Sequence, residues 1–290
     1  MRRTLVALLA AGLMAVAMVA PAAAITKNYV EDFDHPFVGL IAFYDDEGEF
    51  SHRCSGSLLN SMVFLTAGHC TDDGEGGVMP SARIWFRQDA GARFDGVIDP
   101  LTGYPDSCID DPAVVLDACV TAHEMYNYGF DNFAGFPDTH DAGVVILDSP
   151  VVVPEYASLA AVGTLDSLAT ARGLKDLVFR ASGYGLSYSS PVAAVSFRSR
   201  LMADARLVNL GSSLTAGFNL QTNGNGNGRG GTCSGDSGGP IFYPATSNTV
   251  VAVTSFGLNA WCRGTDFAYR TDTAAVIAWI DEVAGDHWNP

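Results

Sequence analysis

Three short stretches hold the residue types that acyl-transfer chemistry needs. The first is Gly231-Thr232-Cys233-Ser234-Gly235-Asp236-Ser237-Gly238-Gly239-Pro240. A serine among glycines is a candidate nucleophile, because backbone N–H groups with no flanking side chains can approach a reacting atom closely. Its hydroxyl needs a base, and the base needs a carboxylate to orient it. The second stretch, Leu65-Thr66-Ala67-Gly68-His69-Cys70, runs an apolar strand pattern straight into a histidine. Cys54-Ser55-Gly56-Ser57 lies sixteen residues earlier, and a Cys54–Cys70 bridge would hold the His69 backbone. Closing a loop of that size contributes ~3 kcal/mol in the chain-entropy description. The third stretch opens on Asp141 and continues Ala142-Gly143-Val144-Val145-Ile146-Leu147. An aspartate at the mouth of an apolar strand is costly to bury unless hydrogen-bonded, and an imidazole N–H satisfies it. Taken singly, His69 reads as a satisfied polar residue and Asp141 as an exposed strand-end acid. The other histidines (His35, His52, His123, His140 and His287) have no comparable surroundings.

The elements that must position these groups are short and β-rich. Strand patterns fall at Phe37–Tyr44, Met62–Ala67, Ala82–Phe86, Gly143–Leu147, Leu177–Ala181, Arg200–Leu207 and Thr249–Phe256, bounded by turn residues. Many short strands at such intervals predict a sandwich or barrels. One helix is predicted near the end, where Val276, Ile277, Ile280 and Val283 share a face and Thr273 can cap it. The chain therefore reads as all-β with a C-terminal helix. Tyr104–Val120 is irregular, and the simplest reading is a surface loop closed by a Cys108–Cys119 bridge. The acids Asp72, Asp73, Glu75, Asp110 and Asp111 lack the ligand spacing of an EF-hand and read as solvated loops, so no metal is expected. Asn223-Gly224-Asn225-Gly226-Asn227-Gly228 reads as a flexible approach to the serine loop.

The 290 residues and 48% hydrophobic content suffice for one large domain or two small ones. Residues 1–24 read as a secretory signal peptide, with Arg2 and Arg3 before an apolar run and Ala22-Ala23-Ala24 as the cleavage site. The apolar stretch is short of the ~20 residues a membrane span needs. Removing two arginines and no acids takes the net charge from −16 to −18, which argues against nucleic acid. Six cysteines in an exported chain read as three disulfides, with fifteen pairings open from spacing alone. A secreted or periplasmic monomer without a cofactor or stable membrane insertion is expected.

The order His69, Asp141, Ser237 differs from the Asp–His–Ser and Ser–Asp–His orders of two other hydrolase classes. With that order the chain resembles the chymotrypsin/trypsin family of serine proteases. The matching pieces are residues 54–57, 65–70, Asp141 with its strand and Pro150-Val151, residues 235–240, and Ser255-Phe256-Gly257. Together they span essentially all of residues 25–283. The resemblance implies one protease domain over residues 25–290. Two six-stranded antiparallel β-barrels, roughly 25–160 and 161–275, would flank the site, with the terminal helix after them. It also implies Ser237 as nucleophile, His69 as base and acid, Asp141 as orienting carboxylate, and an oxyanion hole from the N–H groups of Gly235 and Ser237. Ser255 matches the serine that supports the aspartate. Cys233–Cys262 matches the bridge that shapes the substrate pocket, and protein or peptide substrates follow.

The chain departs from the family pattern in three places. Gly68 replaces the usual alanine before the histidine, and the interval from His69 to Asp141 is long. In place of the family's activation sequence stands Ile25-Thr26-Lys27-Asn28 after Ala24. Signal cleavage is expected to expose Ile25, whose ammonium then pairs with Asp236. For the pocket, Gly231 occupies the floor position and Gly257 leaves the entrance open, so an uncharged pocket for small or medium apolar side chains is expected, with Thr232 and Ser255 beside it. Asp266 aligns with a second pocket position, where it would favour Lys or Arg; a shift of one puts Phe267 there instead. A lipase reading of Gly-x-Ser-x-Gly needs a strand before the serine and a histidine after it; here a Gly/Asn run precedes Ser237, and only His287 follows, three residues from the end. A protease-like binding protein usually lacks a triad residue, and all three are here.

Overall fold

The computed structural model describes residues 25–90, 119–169, 177–226 and 229–288. The expected signal segment, Cys108, Asp110 and Asp111 lie outside these residues. The first half builds one antiparallel sheet from Val38–Tyr44, Phe50–Leu58, Val63–Thr66, Ser81–Trp85, Val120–Ala122, Glu124–Asn127 and Gly143–Ile146. Val120–Ala122 pairs with Ser81–Trp85 on one side, while Glu124–Asn127 pairs with Gly143–Ile146 on the other. The near-continuous segment 120–127 thus joins both edges, curling the sheet into a barrel with no long free edge.

The second half closes in the same way. Its six strands are Val178–Gly183, Leu201–Asn209, Asn219–Thr222, Pro240–Phe242, Thr249–Gly257 and Asp266–Arg270, with Leu201–Asn209 pairing Asn219–Thr222 to complete the ring. The chain ends are exchanged between the halves. Val30–Glu31 pairs with Leu201–Asn209 of the second barrel, while the helix Ala274–Ala284 buries Val276, Ile280 and Ala284 in the first barrel's core. Thr273 caps that helix, its hydroxyl accepting from the Val276 N–H.

Each of the seven expected strands is present with its ends shifted by a residue or two; six further barrel strands are not among them, and two of these carry no apolar pattern. Phe50–Leu58 (Phe-Ser-His-Arg-Cys-Ser-Gly-Ser-Leu) buries Ser55, Gly56 and Ser57 where bulk does not fit. A Cβ on Gly56 would lie 2.3 Å from the Phe64 ring. Asp266–Arg270 (Asp-Phe-Ala-Tyr-Arg) is buried along its whole length despite a charge at each end.

A buried polar node joins the two barrels. Arg200, 3% exposed, donates to the carbonyls of Asp32 (3.0 Å), Val38 (3.1 Å) and Phe86 (2.9 Å), and to the Tyr184 hydroxyl oxygen (3.2 Å). The Asp32 carboxylate meets His35 Nδ1 at 2.8 and 2.9 Å and accepts from the Ser182 hydroxyl. Burial alone would raise the Asp32 carboxyl, but His35, Ser182 and Arg200 outweigh it and hold it below the ordinary carboxylate range. This serine–aspartate–histidine cluster is sealed from solvent, with His35 stacked on Phe242 at 4.4 Å. Replacing Arg200 by methionine keeps the stem and removes a donor from all three carbonyls, leaving Val38 with the Tyr184 hydroxyl. We expect a loss of about 3–5 kcal/mol in urea unfolding. Because the folded Asp32 pKa is depressed, its share of stability is present above about pH 4 and is lost as pH falls through the folded value.

Candidate active site

The strand Val63–Thr66 leads through Ala67 into a single helical turn, Gly68–Thr71, that carries His69. Cys54–Cys70 anchors this turn to the neighbouring strand Phe50–Leu58, and Asn127 Nδ2 donates to the Gly68 carbonyl at 2.9 Å. The strand Gly143–Ile146 pairs with Val63–Thr66, with Thr66 opposite Gly143, so Asp141 arrives beside His69 although 72 residues separate them.

The Asp141 carboxylate is fully buried and fully engaged. Oδ1 accepts from the His69 backbone N–H at 2.8 Å, and His69 Nδ1 lies 2.9 Å from Oδ2 and 3.1 Å from Oδ1. The Ser255 hydroxyl donates to Oδ2. Nδ1 therefore carries the proton toward Asp141, and Nε2 is left as the basic nitrogen. Burial alone would raise the Asp141 carboxyl, but the charge and hydrogen bonds of His69 and the Ser255 hydroxyl bring it below the ordinary range. For His69 burial alone would lower the pKa; the charge and hydrogen bond of Asp141, with Asp72 adding, hold it above the ordinary 6.5.

The Ser237 loop is clamped between the barrels. From the first, the Ser55 N–H donates to the Ser237 carbonyl (2.8 Å) and the Ser55 hydroxyl to the Gly235 carbonyl (2.8 Å). From the second, Gly238 and Thr254 exchange backbone bonds at the loop's far side, Gly238 N–H to Thr254 and Thr254 N–H to Gly239. Gly238 has φ +76° and lies so close to the first barrel that a Cβ there would meet Thr66 Oγ1 at 2.1 Å. The preceding Asp236 is buried and accepts from the N–H groups of Gly185 (2.7 Å) and Cys233 (2.9 Å). Burial pushes its carboxyl up to about 7, those two bonds and Arg53 pulling the other way. Among the described residues, no protein acceptor takes the N–H of Gly235 or of Ser237. His69, Ser234, Gly235 and Ser237 line one open cleft with Asp72 and Arg53.

A cavity of about 200 Å³ opens beside Ser237, bounded by Thr232, Thr254, Gly257, Cys262 and Asp266. The Cys233–Cys262 bridge ties two of its walls. Strand register decides between the two sequence alignments: Gly257 pairs with Asp266 and Phe256 with Phe267. Asp266 therefore takes the pocket position, while Phe267 stacks on Phe256 at 4.5 Å with the rings 4° apart. The pocket is not the uncharged one expected. Gly231 is not a wall either: it lies behind the carboxylate, and a Cβ there would meet Asp266 Oδ2 at 2.8 Å. The Thr232 N–H donates to Oδ2 at 2.7 Å. Burial nevertheless pushes the Asp266 carboxyl up to about 7, the Thr232 hydrogen bonds opposing it.

At the first described residues, the Ile25 side chain is fully buried, and Thr26 exchanges both backbone hydrogen bonds with Gly231. The expected partner of Cys119 lies outside the described residues.

A family model for trypsin matches residues 118–280. The chain belongs to the trypsin family. It is 27% identical over 249 residues to brachyurin from Leptuca pugilator, covering 84% of this chain and 91% of that one. It is 26% identical over 266 residues to CLIP domain-containing serine protease B10 from Anopheles gambiae, covering 87% of this chain and 67% of that protein. The trypsin-family fold also matches the scabies mite inactivated protease paralogue S-D1, with TM-score 0.57, 16% identity and coverage of 91% and 97%. A fold shared with an inactivated paralogue does not by itself decide catalysis, so the reading rests on side-chain geometry.

The arrangement sets a pH dependence. A neutral His69 is the form able to accept a proton, and its pKa is raised, so kcat/KM for an uncharged substrate should climb with pH through a midpoint above 6.5. Steady-state rates across pH 5–9 would check this, and a midpoint below 6.5 would mean that Asp141 does not dominate His69.

Proposed function

We propose that the chain is a secreted serine endopeptidase. The observation that carries this reading is the bracketing of His69 by the buried Asp141, through the imidazole at 2.9 Å and the backbone N–H at 2.8 Å, in a cleft shared with Ser237. The Ser237 hydroxyl attacks the peptide carbonyl carbon, and its proton passes to His69 Nε2. The carbonyl oxygen becomes an alkoxide held by the Gly235 and Ser237 N–H groups, a contribution commonly of ~3 kcal/mol per donor. Collapse breaks the C–N bond, and His69 hands the proton to the departing amine. Water, deprotonated by His69, then attacks the acyl-enzyme and restores Ser237. Asp141 stays ionised throughout and stabilises the imidazolium.

Asp266 is proposed to receive a basic side chain on the acyl side of the cleaved bond. For activation, signal cleavage after Ala24 is proposed to free the Ile25 ammonium for Asp236, an otherwise unfavourably buried carboxylate. Ile25 has φ +58°, a region costly for a β-branched residue, and a chain starting at Ile25 has no such torsion to satisfy. Export and disulfide formation are consistent with the cysteine pairing. A monomer acting on protein or peptide substrates is the simplest form of this reading.

The test is the intact mass of the secreted protein before and after a fluorophosphonate, with Ser237→Ala as control. A mass starting at Ile25 and one adduct absent from the control supports the proposal. The same start with no adduct would replace it with a non-catalytic binding protein. A longer start with no adduct would mean a zymogen that needs another protease.

A further inference from the structure

Besides Asp266 and Arg263, the pocket is lined by Thr254, whose hydroxyl neither the catalytic steps nor the fold uses. Thr254 is 5% exposed and borders both the pocket and a small void behind it, and its hydroxyl meets no hydrogen-bond partner among the described residues. A buried hydroxyl left unpaired is costly, so one placed at a ligand cavity points to a ligand that pairs it. The adjacent residue Ser255, at a bulge in the pairing with Asp266–Arg270, commits its hydroxyl to Asp141 instead.

The register places this hydroxyl relative to Asp266. Thr254 pairs with Ala268 on the strand Asp266–Arg270, and Asp266, two residues away, lies on the same face as Ala268. A bulge between Thr254 and Phe256 interrupts the ladder, and Thr254 and Asp266 both line the same cavity. The carboxylate is an obligatory acceptor, and its near neighbour Thr232 already bonds it through backbone and side chain. The Thr254 hydroxyl is a free acceptor and donor.

We infer that Thr254 selects arginine over lysine as the side chain bound in the pocket. This rests on the reading of Asp266 as the recognition carboxylate. A guanidinium is a planar fork with five donors and can address two acceptors on one cavity face at once. An ammonium is a compact, strongly hydrated point that satisfies the carboxylate alone. An arginine side chain bonds Asp266 through one edge and the Thr254 hydroxyl through another N–H. A lysine leaves that hydroxyl unpaired, as it is in the free enzyme.

The experiment compares kcat/KM for three otherwise identical peptides with Arg, Lys or Leu before the cleaved bond, on wild type, Thr254→Val, Thr254→Ser and Asp266→Asn. Ratios between substrates do not depend on the fraction of enzyme that is folded. We expect Thr254→Val to lower the Arg-to-Lys ratio about tenfold, and Thr254→Ser, which restores a hydroxyl, to recover most of it. A Val variant that lowers all three substrates equally, or keeps the Arg-to-Lys ratio, overturns the inference while Asp266→Asn still abolishes the preference for basic residues. If Asp266→Asn leaves that preference intact, the pocket reading beneath the inference fails instead, and the inference fails with it.

Discussion

Replacing Asp141 by asparagine should lower kcat about 10⁴-fold, the loss this change produces in the chymotrypsin-type template of the mechanism. The physical reason lies in which nitrogen holds the proton. The Asp141 carboxylate only accepts, so it fixes the proton on His69 Nδ1 and leaves Nε2 basic. An asparagine amide donates as readily as it accepts. Bonded to the His69 backbone N–H and the Ser255 hydroxyl, it would present an N–H to the ring and force the opposite tautomer. Nε2 would then carry the proton and could not receive one from Ser237. The negative charge that raises the His69 pKa would be gone as well, while the burial that lowers it would remain. The rate midpoint of the residual activity should therefore move down relative to wild type. Thermal unfolding and single-turnover acylation of the variant, measured together, separate this from a folding defect. A folded D141N enzyme retaining more than about a tenth of wild-type kcat would remove Asp141 from the proposed mechanism.

How much of this was legible in the sequence depended on whether a feature was local or made by pairing. The serine loop, the His69 turn and the Asp141 strand are contiguous motifs, and their combination and chain order set His69 and Asp141 apart from ordinary polar residues. The strands rich in Val, Ile and Phe were legible for the same reason, because apolar bulk marks a buried surface. Phe50–Leu58 was not legible as a strand: it is buried through small residues under Phe64, and Ser, Gly and Ser in a row carry no apolar alternation. The cluster of Asp32, His35 and Ser182 also escaped notice, since Ser182 lies 150 residues from Asp32 and nothing in His35-Pro36 signals burial. The pocket was ambiguous for a sharper reason. Asp266 and Phe267 are adjacent, and a one-residue slip sends one to each face of the strand, so only the register with Gly257 decides which enters the cavity. Thr254 carries no signal at all, because a threonine in a strand is ordinary until its hydroxyl is found without a partner.

The second large effect belongs to Asp266. Its carboxyl is 7% exposed and has no ion-pair partner among the described residues; burial pushes it to about 7 against the pull of the Thr232 hydrogen bonds. A carboxylate held in this way gains most from a cation that enters the pocket, and an isosteric amide forfeits that gain. Asp266→Asn should therefore lower kcat/KM for an arginine substrate by about 100- to 1000-fold, and a leucine substrate far less. The same residue makes a pH prediction whose sign follows from its raised pKa. Below about 7 the free-enzyme group is protonated and neutral, and above it the pocket is anionic. Because kcat/KM reports the ionisation of the free enzyme, the arginine-to-leucine ratio in wild type should rise with pH through a midpoint of about 7. His69 acts on both substrates alike, so its titration cancels in the ratio and cannot imitate the effect. In D266N the ratio should be low and flat across the same range. A wild-type ratio that is flat from pH 5.5 to 8.5 would show that the carboxylate does not sense the substrate, and the pocket would then be read as apolar after all.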